Sequence, residues 1–154
     1  MYSRILVPLD GSELAQVALP HAVHLAQLFQ ADLMLLRVAY AAAYPGSDPV
    51  AAQRAVVAES DAYLKAVAAG LSPQGFTLHT SVRYGYAAEE IIAFASQEGV
   101  TLIVMATHGR SGVGRWLLGS TAEKVLRGTS VPILLIRASA GESRATGTSR
   151  SLNP

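Results

Sequence analysis

The chain has no cysteine. Disulfides, zinc–thiolate sites and thiol catalysis are therefore excluded. No apolar run approaches the roughly 18 residues of a membrane span. The opening segment does not read as a secretory leader, because its apolar run Ile5–Val7 is short and Pro8 and Asp10 follow at once. The expected location is the cytoplasm. Charge is also scarce, at 15% of residues, and the formal net charge is only +1. That argues against bulk electrostatic binding to DNA, RNA or acidic membranes. Hydrophobic residues are what the chain has in quantity: 51% of its 154 residues. One soluble globular domain is expected, able to bury about two-thirds of its unfolded surface.

A further absence is local. No carboxylate lies between Glu98 and Glu123, and within that interval Ala106–Thr121 carries four glycines and two arginines. Long loops inside compact domains are more often functional than not. Glycine lets backbone N–H groups approach a ligand closely, and the missing acids leave the local field positive. A polyanion, most simply a nucleotide polyphosphate, is what such a loop could hold.

The rest of the chain alternates strand and helix patterns. Ile5–Leu9 is a continuous apolar run of strand length, as a strand buried on both faces requires. Asp10 to Glu13 reads as a turn into a helix, with Asp10 or Ser12 as cap and Asp10 with Glu13 at capping-box spacing. Leu14, Val17, Ala18, Leu25, Leu28 and Phe29 recur at helical spacing, and Pro20 should kink or break that helix. Leu33–Val38 is a second buried strand. Val50 to about Ala69 is an alanine-rich helix, and Thr77–Tyr84 has the pattern of an edge strand. Ala87–Gln97 is a third helix and Leu102–Ala106 a fourth strand. Ser120 to Glu123 has the form of a capping box, so a fourth helix should start there and stop at Gly128. Val131–Ile136 is a fifth strand, with Pro132 at its start. Residues 138–154 hold too little apolar bulk to offset ordering and read as a flexible tail. The order βαβαβαβαβ argues for an open parallel α/β sheet with helices on both faces. Ligands bind such sheets outside the carboxyl ends of the strands. Pro8–Ser12, Val38–Tyr40 and Ala106–Ser120 are thus the candidate segments.

Two common nucleotide fingerprints fail. Gly114–Thr121 has the glycines and threonine of a Walker A loop, but Ser120 stands where lysine is required. Gly112 and Gly114 are not followed by the third glycine of a dinucleotide fingerprint. The segment instead resembles the universal stress protein family, whose nucleotide-binding members carry G-x2-G-x9-G-[ST] after the fourth strand. Here the match is Ala106, Gly109, Gly119 and Ser120, with alanine at the first glycine. The wording of Met105–Gly112, of the opening Ile5–Ser12 and of Ser130–Ile136 is similar to that family too. The resemblance spans roughly Tyr2 to Arg137.

That resemblance implies a Rossmann-like five-stranded parallel sheet of order 3-2-1-4-5, in one domain over residues 1–137. It implies a homodimer joined through the fifth strand, Pro132 to Ile136. It also implies ATP with Mg2+ or Mn2+. Pro8, Leu9 and Asp10 would meet the adenosine, with Asp10 near the ribose or metal. Val38 would contact adenine through its backbone, and Ala106 would lie by the ribose. Gly109, Gly119, Ser120 and Thr121 would cradle the phosphates, while Arg110 and Arg115 could close over them. The residues support the anion site independently. The N–H groups that begin the Ser120 helix lie at the positive end of its dipole, although a capping hydroxyl on Ser120 would compete with phosphate.

The functional expectation is a nucleotide-responsive regulatory dimer of the stress response with little or no hydrolysis. One alternative is a nucleotide-free interaction scaffold in which Ala106 marks a lapsed site. Another is a slow metal-dependent ATPase. The plainer readings are kept for other polar residues. His108 has no visible catalytic partner. His21 and His24 lack a third metal ligand. Trp116 reads as a packing anchor, and Tyr84 and Tyr86 as a cover for the sheet end.

Overall fold

The computed structural model describes residues 1–42, 44–71, 75–107 and 118–137. Five parallel strands form one sheet: β1 (Arg4–Pro8), β2 (Asp32–Ala39), β3 (Leu78–Tyr84), β4 (Leu102–Ala106) and β5 (Ile133–Ile136). Their order is β3-β2-β1-β4-β5, so β1 is central and β3 and β5 are edges. This is the Rossmann-like arrangement that the resemblance implied.

Strand alternation sorts the core into two layers. Ile5, Val7, Leu33, Leu35, Leu102 and Val104 face one side. There they meet α1 (Glu13–Gln16), α2 (Leu19–Phe29) and α3 (Pro49–Gly70). Leu6, Leu36, Ile103 and Met105 face the other side. They are covered by α4 (Ala87–Gln97) and α5 (Ser120–Gly128). Both layers are largely apolar, because the middles of β1, β2 and β4 bury apolar side chains on both faces.

The expected break at Pro20 is present: the helix after β1 is two helices, and Pro20 sits in the first turn of α2, where a missing N–H costs nothing. Other local expectations need correction. Leu28 is exposed; α2 instead buries Leu19, Ala22 and Ala26. Ala18, Ala22 and Ala26 recur every four residues, and their small side chains let the helix lie close to the sheet. The Asp10–Glu13 capping box does not form. Ser12 is the cap of α1, its Oγ accepting from the Ala15 N–H at 3.1 Å. The Ser120–Glu123 box does not form either. Gly119 is the N-cap without a side-chain bond, and Glu123 pairs with Arg127 at 3.0 Å. Helix α3 starts at Pro49, capped by Asp48, whose carboxylate accepts from the Val50 N–H at 2.9 Å. Strand β5 begins at Ile133, just after Pro132, which has no N–H to give to a ladder.

No helix among the described residues is long and apolar enough to cross a membrane. Leu64 is the fully buried apolar anchor of α3 against the sheet. Leu64→Ala should cost about 3 kcal/mol and lower Tm by about 10 °C. Val50→Ala, at the exposed start of the same helix, should change stability by no more than about 0.5 kcal/mol. Thermal unfolding followed by circular dichroism checks both.

Candidate functional site

β1 and β4 are aligned only where Ile5 faces Leu102 and Leu6 faces Ile103. Beyond that point the chain leaves β1 for α1 on one face and leaves β4 for α5 on the other. The strand ends therefore part and open a crevice, as expected where strand order reverses. A cavity of about 260 Å³ lies there. It is close to the small end of ordinary ligand sites.

The crevice brings together most of the residues singled out in the sequence. Pro8, Leu9, Asp10, Val38, Ala106, Gly119, Ser120 and Thr121 all line it. They come from four separate segments that only this topology assembles. Gly109, Arg110 and Arg115, together with His108 and Trp116, lie outside the described residues.

Each lining segment is held by backbone logic. The Leu9 N–H donates to the Leu36 carbonyl at 2.8 Å, which carries β1 one residue past its formal end. Asp10 Oδ1 then accepts from both the N–H (2.9 Å) and the Oγ–H (2.6 Å) of Ser12. This Asx turn holds the carboxylate at the cavity wall. On the far wall, the Gly119 N–H donates to the Thr107 carbonyl at 2.8 Å, and the Thr107 N–H donates to the Ile136 carbonyl at 2.9 Å. The two ends of the glycine-rich stretch thus meet beside β5. Ala106 ends β4 in strand conformation and is not among the residues of positive φ. A glycine is not required there by backbone geometry.

Helix α5 supplies the polar focus. Its first internal bond runs from the Glu123 N–H to the Gly119 carbonyl at 2.9 Å. The N–H groups of Ser120, Thr121 and Ala122 precede that bond and have no acceptor inside the helix. All three residues line the cavity, and no side chain caps the helix in their place. Competition from a Ser120 cap therefore does not arise. The result is a donor cluster at the positive end of a helix dipole, which favours an anion. Asp10 is the sole ionisable residue among the described lining.

Sequence reasoning missed the apolar floor: Leu36, Ala87, Ile91, Met105 and Ala122. In the sequence these are ordinary core residues. The usable signal was register, since Leu36 and Val38 share a face of β2. It also missed Arg37, which lies inside a buried strand and is only 7% exposed. The tyrosines form a cluster rather than a simple cover. Tyr40 stacks with Tyr86 at 5.4 Å and with Tyr84 at 6.4 Å, at the carboxyl ends of β2 and β3. The Tyr86 hydroxyl holds the Tyr40 phenol above its usual pKa. No group of three or more His, Cys, Asp or Glu side chains that could hold a metal ion occurs among the described residues.

Comparison with known proteins agrees with this architecture. Residues 1–137 match the universal stress protein family. A universal stress protein of Methanocaldococcus jannaschii, MJ0531, is 32% identical over 142 residues, spanning 89% of this chain and 83% of the relative. The solved structure of MJ0577, from the same archaeon, superposes with a TM-score of 0.78 at 28% identity, covering 90% of this chain and 98% of that one. A universal stress protein in complex with cAMP shares the fold at 20% identity, with a TM-score of 0.61 over 90% of this chain and 99% of its own length. On the match across residues 1–137 and these relatives, the chain belongs to the universal stress protein family.

Proposed function

We propose that the protein binds ATP, accompanied by Mg2+ or Mn2+, in the crevice between β1 and β4. It acts as a cytoplasmic, nucleotide-responsive regulatory homodimer with little or no hydrolysis. The observation that carries this reading is the uncapped start of α5 facing an apolar cavity across from Asp10. Adenine suits the apolar floor, with the Val38 backbone at its edge. Ala106 lies by the ribose, and Asp10 serves the ribose or a phosphate-bound metal. Gly119, Ser120 and Thr121 take the phosphates, joined by Gly109, Arg110 and Arg115 from the intervening stretch. A family member of the same fold holds a cyclic adenine nucleotide, which is in keeping with this ligand class.

Weak or absent hydrolysis is the reading that the described lining supports. Asp10 is the one ionisable group of that lining, and its Oδ1 accepts from Ser12. Orienting an attacking water needs a further positioned group, and phosphoryl transfer rests on such positioning. Dimerisation is assigned to the edge strand β5, where Leu134 projects an apolar side chain that is 38% exposed. An unpaired edge of this kind is a template for a second strand.

Titration calorimetry of nucleotide-stripped protein with ATP and magnesium should give saturable binding near about one nucleotide per chain. Gly119→Val should abolish it without unfolding the domain, because the added side chain occupies the approach to the α5 N–H groups. Retained affinity in that variant would sink the assigned phosphate site. Asp10→Asn keeps an oxygen acceptor for the Ser12 N–H but removes the charge, and should weaken magnesium-ATP binding by about tenfold, the scale of one charge-assisted contact. Ala106→Gly should shift affinity by less than about threefold, since the strand backbone there does not need glycine. Folded, stripped protein that binds no nucleotide would transfer the assignment to a nucleotide-free dimeric scaffold.

A further inference from the structure

Arg37 is the one charged side chain buried in the described core. It lies on β2, on the face covered by α3, and does not line the cavity. A buried guanidinium is costly unless its donors and charge are met. Most of its surroundings are supplied by α3. Nε–H donates to Ser60 Oγ at 3.1 Å, and the Ser60 hydroxyl in turn donates to the Val56 carbonyl at 2.7 Å. Nη2 lies 3.8 Å from the Glu59 carboxylate, and the Tyr63 ring lies 4.8 Å from Cζ. The remaining corner, Nη1, abuts Gly11.

That corner leaves no room for a side chain at position 11. A Cβ built on Gly11 would overlap Arg37 Nη1 and stand 2.9 Å from Cζ. Gly11 has φ +88°, a conformation that side chains rarely adopt. Its neighbours are Asp10, whose carboxylate lines the cavity, and Ser12, which caps α1. A shift of Gly11 therefore moves both.

We propose that Arg37 is a positioning residue for the crevice. It props the Asp10–Ser12 turn from beneath and ties that turn to α3 through Ser60, Glu59 and Tyr63. The proposal rests on the nucleotide reading for its effect on affinity, but not for its effect on the turn itself. Arg37 acts through Gly11 and touches no ligand. Methionine at this position fills a similar apolar volume without the buried charge, so Arg37→Met should fold.

The test is a double-substitution cycle of Arg37→Met and Gly11→Ala, with Leu64→Ala as a control that destabilises α3 without touching the turn. Two quantities are read at a temperature where every variant is folded. One is amide hydrogen exchange at Ser12 and Ala15 in ligand-free protein. The other is magnesium-ATP affinity by calorimetry. Arg37→Met should speed exchange at both amides and weaken affinity by about tenfold, within the range of couplings between touching residues. Leu64→Ala should leave affinity within about twofold, since it lies outside that contact. The affinity penalty of Gly11→Ala should shrink by about fivefold when Arg37 is already methionine, because the two positions overlap. Additive penalties, or an equal loss of affinity in Leu64→Ala, would overturn the proposal. Wild-type protein that binds no ATP defeats the nucleotide reading instead, and exchange then decides alone: unchanged protection of Ser12 and Ala15 in Arg37→Met rejects the prop. Should Arg37→Met not fold, Arg37→Lys, too short to span Ser60 and Gly11 together, replaces it in the same cycle.

Discussion

Ile5, Leu6 and Val7 are all inaccessible to solvent, so β1 must be flanked on both edges and covered on both faces. Only the middle of a parallel sheet meets that demand. Once β1 is central, right-handed crossovers send the helices after β1 and β2 to one face and those after β3 and β4 to the other. The backbone leaving β1 and the backbone leaving β4 then diverge, and the crevice follows from that divergence. No residue of the site creates the opening. Asp10, Ala106 and Gly119 are where they are because hydrophobic burial has already placed the strands.

Within this frame the polar chemistry is economical. Helix α5 starts on a glycine and leaves its first N–H groups without an internal partner. Asp10 Oδ1 is met within its own turn by Ser12, and a buried arginine under α3 packs against that turn at Gly11. The apolar floor draws on β2, α4, β4 and α5, whereas the donor cluster is the first turn of α5 alone. Ala106 keeps strand conformation, so its own backbone does not require glycine.

The sequence was most legible where one physical signal dominated. Ala87–Gln97 and Leu102–Ala106 coincide with α4 and β4 because helical periodicity and unbroken apolarity are local properties. Strand order was not local, and it came with the family resemblance rather than from periodicity. Caps misled for a related reason. Asp10, Ser12, Gly119 and Ser120 are all capable caps, and the tertiary path of the entering chain decides among them. Burial of Leu19 and Ala22 in place of Leu28 likewise depends on how closely α2 can approach the sheet. Arg37 was least legible of all. Its partners Ser60 and Gly11 lie 23 residues ahead and 26 behind, and nothing in the run Leu33–Val38 announces them.

The same parting of β1 and β4 has a consequence for how the domain holds together. β2 aligns with the whole of β1, whereas β4 aligns with it only at Ile5 and Leu6. The strands β3-β2-β1 and the strands β4-β5 therefore meet along a shorter aligned ladder than the one between β1 and β2. Openings that separate such units are the cooperative fluctuations a native protein undergoes below its global unfolding cost. The crevice straddles this join, with Asp10 and Val38 on one bank and Ala106, Gly119 and Ser120 on the other. Any molecule lodged there fastens the two units together. It would add about 2.7 kcal/mol to their union at a concentration one hundred times its dissociation constant. Occupancy would then be readable as the integrity of the β4–β5 strand pair.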